Sequence, residues 1–321
     1  MAQPLKNHVK TQFEDDDELD EIVDGLLQPE KTISPKYFYD ERGSKLFEKI
    51  TELPEYYPTE TELRIMRDSI EEIVALVGAQ ASLIEFGSGS SLKTRILLAH
   101  LDELAAYVPV EISEEQLRAS ATELRADFPE LEVLPVVADF TRPFDLPSPT
   151  VMPLKNLVYF PGSTIGNFTN EAALSLLEVM YQEAGAGGAL LIGVDLQKDP
   201  EIIKRAYNDS AGVTAEFNLN MLRHINREYG ADFDLDRYSH SAEYNQDEGR
   251  IELRLIADTA QQVNIGNEQI HIEKNEGILT EYSHKYTLES FAKMAAKAGF
   301  AVKRVWMDPK KLFSVQYLER S

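Results

Sequence analysis

The chain has 321 residues, contains no cysteine and carries a formal net charge of −23. The lack of cysteine excludes disulfides, thiolate metal ligands and thiol nucleophiles, and the acidic surplus disfavours a nucleic-acid partner because phosphate binding needs a basic surface. No apolar run approaches the roughly 18 residues of a membrane span and the first residues lack the apolar core of a secretory signal, so we expect a cytoplasmic protein without a membrane partner.

The first 60 residues lie outside the repeating pattern that follows them. An acidic run, EDDDELDE, occupies residues 14–21. Such a run is either a binding tail or the start of a solvated helix, and the helix is the favoured interpretation. The tyrosine- and proline-rich remainder of this region is expected to form part of a lid.

Short apolar segments alternate with helical patterns in the next part of the chain. Apolar runs of this length predict buried strands, and strands that alternate with helices predict a parallel sheet covered on both faces. The predicted strands are 82–87, 107–112, 131–139, 157–162 and 189–196, and the helices between them are 92–104, 114–128 and 170–185.

The alternation stops after residue 196. Residues 200–240 have a mainly helical pattern, and residues 250–286 have the pattern of antiparallel strands. A helix at 288–300 and two further strands then return to the earlier pattern. We therefore expect an α/β fold with an inserted segment of mixed helices and strands.

The glycine turn in LIEFGSGSSLKTR, residues 83–95, joins the first predicted strand to the first predicted helix. Both the P-loop and the dinucleotide fingerprint require a glycine where this chain has Leu92. What remains is E-x-G-x-G, a turn that lets the backbone approach a ligand closely without cradling phosphates. This pattern is typical of the first motif of class I S-adenosylmethionine-dependent methyltransferases.

Acidic residues also end the next two predicted strands. Glu111 ends the second strand and Asp139, followed by Phe140, ends the third. Taken singly, Glu111 could be a solvated strand end and Asp139 a turn former. Because α/β sheets bind ligands at the carboxyl ends of their strands, the three strand ends together predict a nucleoside cofactor, with an acid on the ribose hydroxyls.

A polar loop, FPGSTIGNF, follows the fourth predicted strand at residues 160–168. It could simply cap the next helix. Its place at the same edge of the sheet favours contacts to a methyl acceptor.

Several motifs together resemble the histidine-specific N-alpha-methyltransferases of ergothioneine biosynthesis. The resemblance runs from about residue 30 to the C-terminus, and the motifs keep the family's order. It implies trimethylation of the α-amino group of L-histidine by S-adenosylmethionine, which gives hercynine. The motifs are SPKYFYDERGSKLFEKITELPEYYPTETE, EFGSGSSLKTR, FPGSTIGNF, DLQKD, AYND followed by GVTAEFN, and TEYSHKY.

The resemblance also implies a domain plan and site residues. A class I, Rossmann-like methyltransferase core would comprise 61–196 and 287–321, and a mixed α+β substrate-binding domain would comprise 1–60 and 197–286. The cofactor residues would be Glu85, Gly87, Ser88, Gly89, Lys93, Glu111, Asp139 and Phe140. The substrate residues would be Tyr39, Phe47, Tyr56, Gly162, Thr164, Asn167, Tyr207, Leu253, Glu281 and Ser283, with Tyr39 and Asn167 as the catalytic pair.

Two residues depart from the family's pattern, and three others carry specific hypotheses. Glu111 replaces an aspartate of the family and Leu253 replaces a methionine. Tyr39 is our candidate to accept the amine's proton or relay it through water. Glu281 and Ser283, two residues apart on a predicted strand, share a face and could take both imidazole nitrogens.

Three alternatives stay open at this point. The acceptor could be another aromatic amino acid, such as tryptophan or a derivative. The fold could serve a nicotinamide-dependent oxidoreductase, against which Leu92 counts. The chain could also be a silent binding protein for a small ligand. The histidines show no metal-ligand spacing, so we expect no metal, and a monomer is the default expectation.

Overall fold

The computed structural model describes residues 12–89, 92–101 and 103–320. They form two compact units. The unit that we call the insertion unit takes its described residues from Met1–Tyr56, Glu201–Tyr244 and Ile251–Glu281. The sheet unit takes its described residues from Tyr57–Pro200, Asn245–Arg250 and Tyr282–Ser321.

The helices and strands of the described residues are numbered here in chain order. The helices are α1 Gln12–Leu27, α2 Glu41–Thr51, α3 Tyr57–Val77, α4 Leu92–Leu98, α5 Glu114–Asp127, α6 Asn170–Ala184, α7 Pro200–Tyr207, α8 Val213–Tyr229 and α9 Leu288–Lys297. The strands are β1 Ala81–Phe86, β2 Ala106–Glu111, β3 Val136–Val137, β4 Lys155–Phe160, β5 Ala189–Asp195, β6 Tyr238–Asn245, β7 Arg250–Ala257, β8 Gln261–Ile265, β9 Glu268–Ile272, β10 Gly277–His284, β11 Phe300–Met307 and β12 Phe313–Arg320.

The sheet unit contains one seven-stranded sheet in the order β11-β12-β5-β4-β1-β2-β3. Strands β1 to β5 pair in parallel. Strand β12 pairs antiparallel with β5, and β11 pairs antiparallel with β12. The expected parallel sheet is therefore correct for the first five strands, and the last two make the sheet mixed.

The order of the strands places a topological switch between β1 and β4. From β1 the chain moves outward to β2 and β3, and then returns to add β4 on the other side of β1. Open α/β sheets bind ligands at such a point, beyond the carboxyl ends of the strands. A ligand site is therefore expected at the loops that follow β1, β2, β3 and β4.

Both faces of this sheet are covered, which explains why its central strands read as continuous apolar runs. All residues of β1 and β5 are buried. Leu83 packs in a core with α3, α4 and α5, whereas its neighbour Ile84 packs in a second core with α6 and α9. Successive side chains of a strand point to opposite faces, so β1 contributes to both cores.

Two predicted elements in the sheet unit are shorter in the structure. The strand expected at 131–139 is regular only at Val136–Val137, with an isolated bridge between Val133 and Tyr107. The helix expected at 92–104 ends at Leu98, where backbone bonds from His100 close it with a turn. In both cases apolar patterning continued past the last regular hydrogen bond.

The insertion unit has its own core, built from α1, α2, α8 and small sheets. Its sheets are a three-stranded one in the order β10-β7-β6 and an antiparallel pair, β8 and β9. The acidic run at 14–21 lies in α1, which buries Ile22 and Leu26 in this core. Among the described residues, no helix is long and apolar enough to cross a membrane.

Candidate functional site

The glycine turn after β1 has the backbone geometry that only glycine adopts readily. Gly87 and Gly89 have φ of +70° and +40°. The N–H of Gly87 donates to the carbonyl of Val110 at 2.9 Å, which ties the turn to β2. A Cβ at Gly87 would lie 3.5 Å from the ring of Phe140. The turn is thus a narrow backbone cradle with an aromatic ring beside it.

Glu85 lies beneath this turn, and its carboxyl group is fully buried. Thr94 Oγ1 donates to Oε1 at 2.6 Å, and the hydroxyl of Tyr107 donates to Oε2. Burial raises the pKa of Glu85 to about 7, although both hydroxyl donors act in the opposite direction. Since both oxygens are bound within the protein, we interpret Glu85 as a support of the turn. Ser88, in the turn itself, is also buried.

The carboxylate of Glu111 lies against the same turn from β2. Its Oε1 accepts from the N–H of Ile112 at 2.9 Å and, more weakly, from that of Ser113 at 3.5 Å. Burial raises its pKa, whereas hydrogen bonds from Ile112, Ser113 and the backbone of Gly89 oppose the rise. The structure therefore brings Glu111 and Gly89 together, as a ribose-binding site at this edge would require.

Asp139 and Phe140 follow the short strand β3. Asp139 Oδ1 accepts from the N–H and the Oγ1 of Thr141, at 3.0 and 2.6 Å, so this residue does form a turn. It is also exposed. The ring of Phe140 lies 5.7 Å from that of Phe86 and 5.9 Å from that of Phe160. Asp139 and Phe140 thus share the edge with the glycine turn.

Lys93, on α4, joins this edge to the loop after β4. Its Nζ lies 2.6 Å from Glu62 Oε2. Glu62, on α3, is 1% exposed and accepts from the N–H of Gly162 at 2.9 and 3.0 Å. Sequence reasoning did not single out Glu62, although it is the last residue of the long tyrosine-rich motif.

The loop after β4 has a constrained backbone. Gly162 and Ser163 have φ of +82° and +57°. Thr164 Oγ1 donates to the carbonyl of Pro161 at 3.1 Å, and Asn167 closes a 3₁₀ helix, Thr164–Asn167. The three predicted substrate residues of this loop therefore lie within one tight turn.

A buried ionic cluster lies at the carboxyl end of β5. The carboxylate of Asp195 is 2.5 Å from Lys198 Nζ and 2.9 Å from Lys285 Nζ, and it accepts from the hydroxyl of Tyr57 at 2.7 Å. Lys285 also donates to Ser283 Oγ at 2.7 Å. The hydroxyl of Ser283, a predicted imidazole ligand, is therefore held by a lysine.

The charges of this cluster shift each other's pKa. Burial alone would raise the pKa of Asp195, but Lys285 and Lys198 outweigh it and hold that pKa below the ordinary value. Burial lowers the pKa of Lys198 to about 8, although Asp195 opposes the shift. The motifs DLQKD and TEYSHKY contain these residues, but nothing in a single sequence indicates that they meet.

The insertion unit holds a chain of aromatic rings made of predicted substrate residues. The ring centroid of Tyr39 lies 5.9 Å from that of Phe47, that of Phe47 lies 6.4 Å from Tyr56, and that of Tyr56 lies 6.0 Å from Tyr207. All three pairs meet edge to face. Tyr39, at one end, is 42% exposed, whereas Tyr207, at the other, is buried.

Leu253 and Glu281 lie on the strands β7 and β10. Leu253 is buried, and its carbonyl accepts from Thr280 Oγ1 at 3.1 Å. Glu281 is partly exposed and is two residues from Ser283 on β10, so their side chains leave the same face of the strand. Among the described residues, no group of three or more histidine or acidic side chains could hold a metal ion.

The strand order and the glycine-and-acid edge are those of an S-adenosylmethionine-dependent methyltransferase. A crystal structure of such an enzyme from Clostridium acetobutylicum is similar in fold, with a TM-score of 0.51 at 9% identity over 86% of this chain and 99% of that one. The family of histidine-specific, SAM-dependent methyltransferases matches residues 18–320, and the chain belongs to this family.

Two curated relatives support this family assignment. A histidine N-alpha-methyltransferase of Mycolicibacterium smegmatis is 42% identical over 290 residues, which cover 89% of each protein. A histidine N-alpha-methyltransferase of Mycobacterium tuberculosis is 39% identical over 295 residues, 90% of each protein. The family resemblance, the fold class and S-adenosylmethionine as co-substrate are confirmed.

Proposed function

We propose that the chain is a histidine Nα-methyltransferase that transfers three methyl groups from S-adenosylmethionine to the α-amino group of L-histidine. The product would be hercynine, and the reaction would be the first step of ergothioneine biosynthesis. The observation that carries the proposal is the match to the histidine-specific family over residues 18–320.

The residues at the edge of the sheet fit a nucleoside co-substrate. Gly87 and Gly89 leave the backbone open to close approach, and Glu111 presents a carboxylate beside them. Phe140 places an aromatic ring at the same turn. S-adenosylmethionine would supply an electrophilic methyl group there, and Lys93 would meet its negatively charged end.

The acceptor amine must be unprotonated to form the new N–C bond. An α-amino group has a pKa of about 8, so a proton must leave for transfer to occur near neutrality. The breaking S–C bond leaves its electron pair on sulfur, and the amine and the methyl carbon must be held about 3–3.5 Å apart. We assign Asn167 and Tyr39 to hold the amine, with Tyr39 accepting or relaying the proton.

The aromatic chain suits a reaction whose product is a quaternary ammonium ion. Aromatic faces stabilise such cations by about 0.5–2 kcal/mol each when water is excluded. Tyr39, Phe47, Tyr56 and Tyr207 provide several rings within one unit. These rings would stabilise the positive charge on the methylated α-nitrogen. They carry no negative charge, so they would not bind the product as tightly as a carboxylate would.

Substrate choice is assigned to Glu281 and Ser283. Ser283 Oγ accepts from Lys285, so the serine's own proton is directed away from the lysine. In the proposed complex, the hydroxyl of Ser283 donates a hydrogen bond to the unprotonated imidazole nitrogen. The carboxylate of Glu281 accepts a hydrogen bond from the protonated imidazole nitrogen. This pairing selects neutral histidine and leaves the indole of tryptophan unable to satisfy both groups.

A product assay tests the proposed function directly. The purified protein, incubated with S-adenosylmethionine and either L-histidine, L-tryptophan or L-tyrosine, should add three methyl groups to histidine alone, as read by mass spectrometry. Methylation of tryptophan or tyrosine instead would support the proposed methyl transfer but show that histidine is not the acceptor. Binding of S-adenosylmethionine without transfer to any amino acid would favour a silent binding protein.

A Tyr39→Phe variant tests the proton relay. Removing the hydroxyl should lower kcat at pH 7 by at least about tenfold, since a positioned acid or base contributes roughly 10²–10⁴-fold to a rate. The loss should shrink at pH 9, where more of the amine is already unprotonated. Tyr238→Phe is the matched control, because the buried Tyr238 hydroxyl has no hydrogen-bond partner among the described residues. Full turnover by Tyr39→Phe at pH 7 would remove Tyr39 from this role.

We further propose that the chain works as a monomer on a small-molecule substrate in the cytoplasm, without a nucleic-acid or membrane partner. The net charge of −23 supports the lack of a nucleic-acid partner. The domain roles are also proposed: the sheet unit binds the co-substrate and the insertion unit supplies most of the amino-acid contacts.

A further inference from the structure

Glu62 connects two parts of the sheet unit to which the proposed function gives different ligands. Its carboxylate is 2.6 Å from Lys93 Nζ, on the side of the co-substrate. The same carboxylate accepts from the N–H of Gly162, in the loop assigned to the amino acid. Because Glu62 is 1% exposed, its carboxylate is almost completely shielded from water.

The backbone around this carboxylate leaves room for it and for little else. A Cβ at Gly193, on β5, would lie 2.0 Å from Glu62 Oε1 and 3.1 Å from the nitrogen of Gly162. A Cβ at Gly162 would lie 3.2 Å from Lys93 Nζ. Two glycines therefore form a slot in which the carboxylate and the ammonium meet.

Lys93 can serve Glu62 and a second anionic group at once. An ammonium group donates up to three hydrogen bonds, and the side chain of Lys93 is 18% exposed. Contact with Glu62 fixes the direction of its remaining donors. A charge-assisted hydrogen bond of this kind is shorter and stronger than a neutral one.

We propose that Glu62 is a positioning residue that holds Lys93 and the loop at Gly162 in one geometry, so that its loss weakens binding of the co-substrate and of the amino acid together. The inference rests on the proposed function for the roles of Lys93 and Gly162. Glu62 acts through these two partners and is not assigned a contact to either ligand.

The test is a Glu62→Gln variant, which keeps the size of the side chain and removes its charge. We expect its Kd for S-adenosylhomocysteine, measured by calorimetry, to rise at least tenfold, and its KM for histidine to rise by a similar factor. Glu60→Gln is the matched control, because Glu60 lies on the same helix and is exposed, with Arg67 at 3.9 Å. The control should stay within twofold of the wild type in both measurements.

A double-mutant cycle separates positioning from general damage. If Glu62 acts through Lys93, the change Glu62→Gln should alter the Kd for S-adenosylhomocysteine much less in a Lys93→Met background than in the wild type. An equal loss in both backgrounds would overturn the inference.

A second variant covers the case in which Glu62→Gln does not fold. Gly193→Ala keeps every charge, and its new methyl group would lie 2.0 Å from Glu62 Oε1, closer than to the nitrogen of Gly162 at 3.1 Å. It should displace the carboxylate and reproduce both losses. Gly193→Ala with unchanged affinities would contradict the inference.

Measuring the Kd for S-adenosylhomocysteine also tests this inference separately from the proposed function. If the wild type methylates histidine and Glu62→Gln stays within twofold in both affinities, the inference fails and the function stands. If the wild type binds S-adenosylhomocysteine but methylates no amino acid, the function fails, and a weakened affinity in Glu62→Gln still supports the positioning role.

Discussion

Replacing Asp195 by asparagine should lower the free energy of unfolding by about 3–5 kcal/mol, the usual result of removing one partner from a buried ion pair. Lys285 and Lys198 have side chains that are 0% and 6% exposed, and both contact this carboxylate. Without it, both buried lysines lose their counter-charge, and the pKa of Lys198, which burial and Lys285 already lower, would fall further. The melting temperature should fall by roughly 6–20 °C, at about 2–4 °C per kcal/mol for a domain of this size.

The matched control for Asp195→Asn is an exposed ion pair in the same unit. Glu289 lies 2.7 Å from Lys293, with both side chains more than 70% exposed. Glu289→Gln should change stability by less than about 0.5 kcal/mol, since exposed pairs contribute little. If calorimetry gave the two variants the same small loss, the cluster at Asp195 would not stabilise the sheet unit.

Local patterning was sufficient to predict most of the sheet unit. Apolar runs located β1, β2, β4 and β5, because parallel strands covered on both faces carry few polar residues. Local patterning could not predict that β12 runs antiparallel to β5. An apolar run has the same appearance in either direction, and which strands pair depends on the three-dimensional fold. Local patterning also overestimated β3, where apolar residues continue beyond the two that pair.

Part of the candidate site could likewise be predicted from single motifs, and part of it exists only because the fold brings distant residues together. The glycine turn and Glu111 follow strands directly, so their place at one edge could be predicted. Asp195 and Lys285 are 90 positions apart in the sequence, and Glu62 and Gly162 are 100 apart. Such pairs are set by the packing of helices and loops, and a single sequence holds no local signal for them.

Replacing Glu281 by alanine should raise the KM for histidine by about 10- to 100-fold and leave kcat nearly unchanged. A hydrogen bond to a charged group contributes roughly 1.5–3 kcal/mol, and the imidazole is remote from the reacting amine. An interaction made equally in the ground state and the transition state changes KM alone. The Kd for S-adenosylhomocysteine should stay within twofold of the wild-type value.

Selectivity gives the sharper test of this residue. On the proposed binding the substrate covers Glu281, and a group that is buried in the complex and must hydrogen-bond its substrate rejects analogues that cannot, by up to roughly 10⁴–10⁵. Glu281→Ala removes that penalty, so the ratio of kcat/KM for histidine over tryptophan should fall by more than the KM for histidine rises. Glu268→Ala, an exposed carboxylate on β9, is the control and should alter neither value. An unchanged KM for histidine in Glu281→Ala would place the imidazole elsewhere, and the hydroxyl of Ser283, held by Lys285, would then have a structural role only.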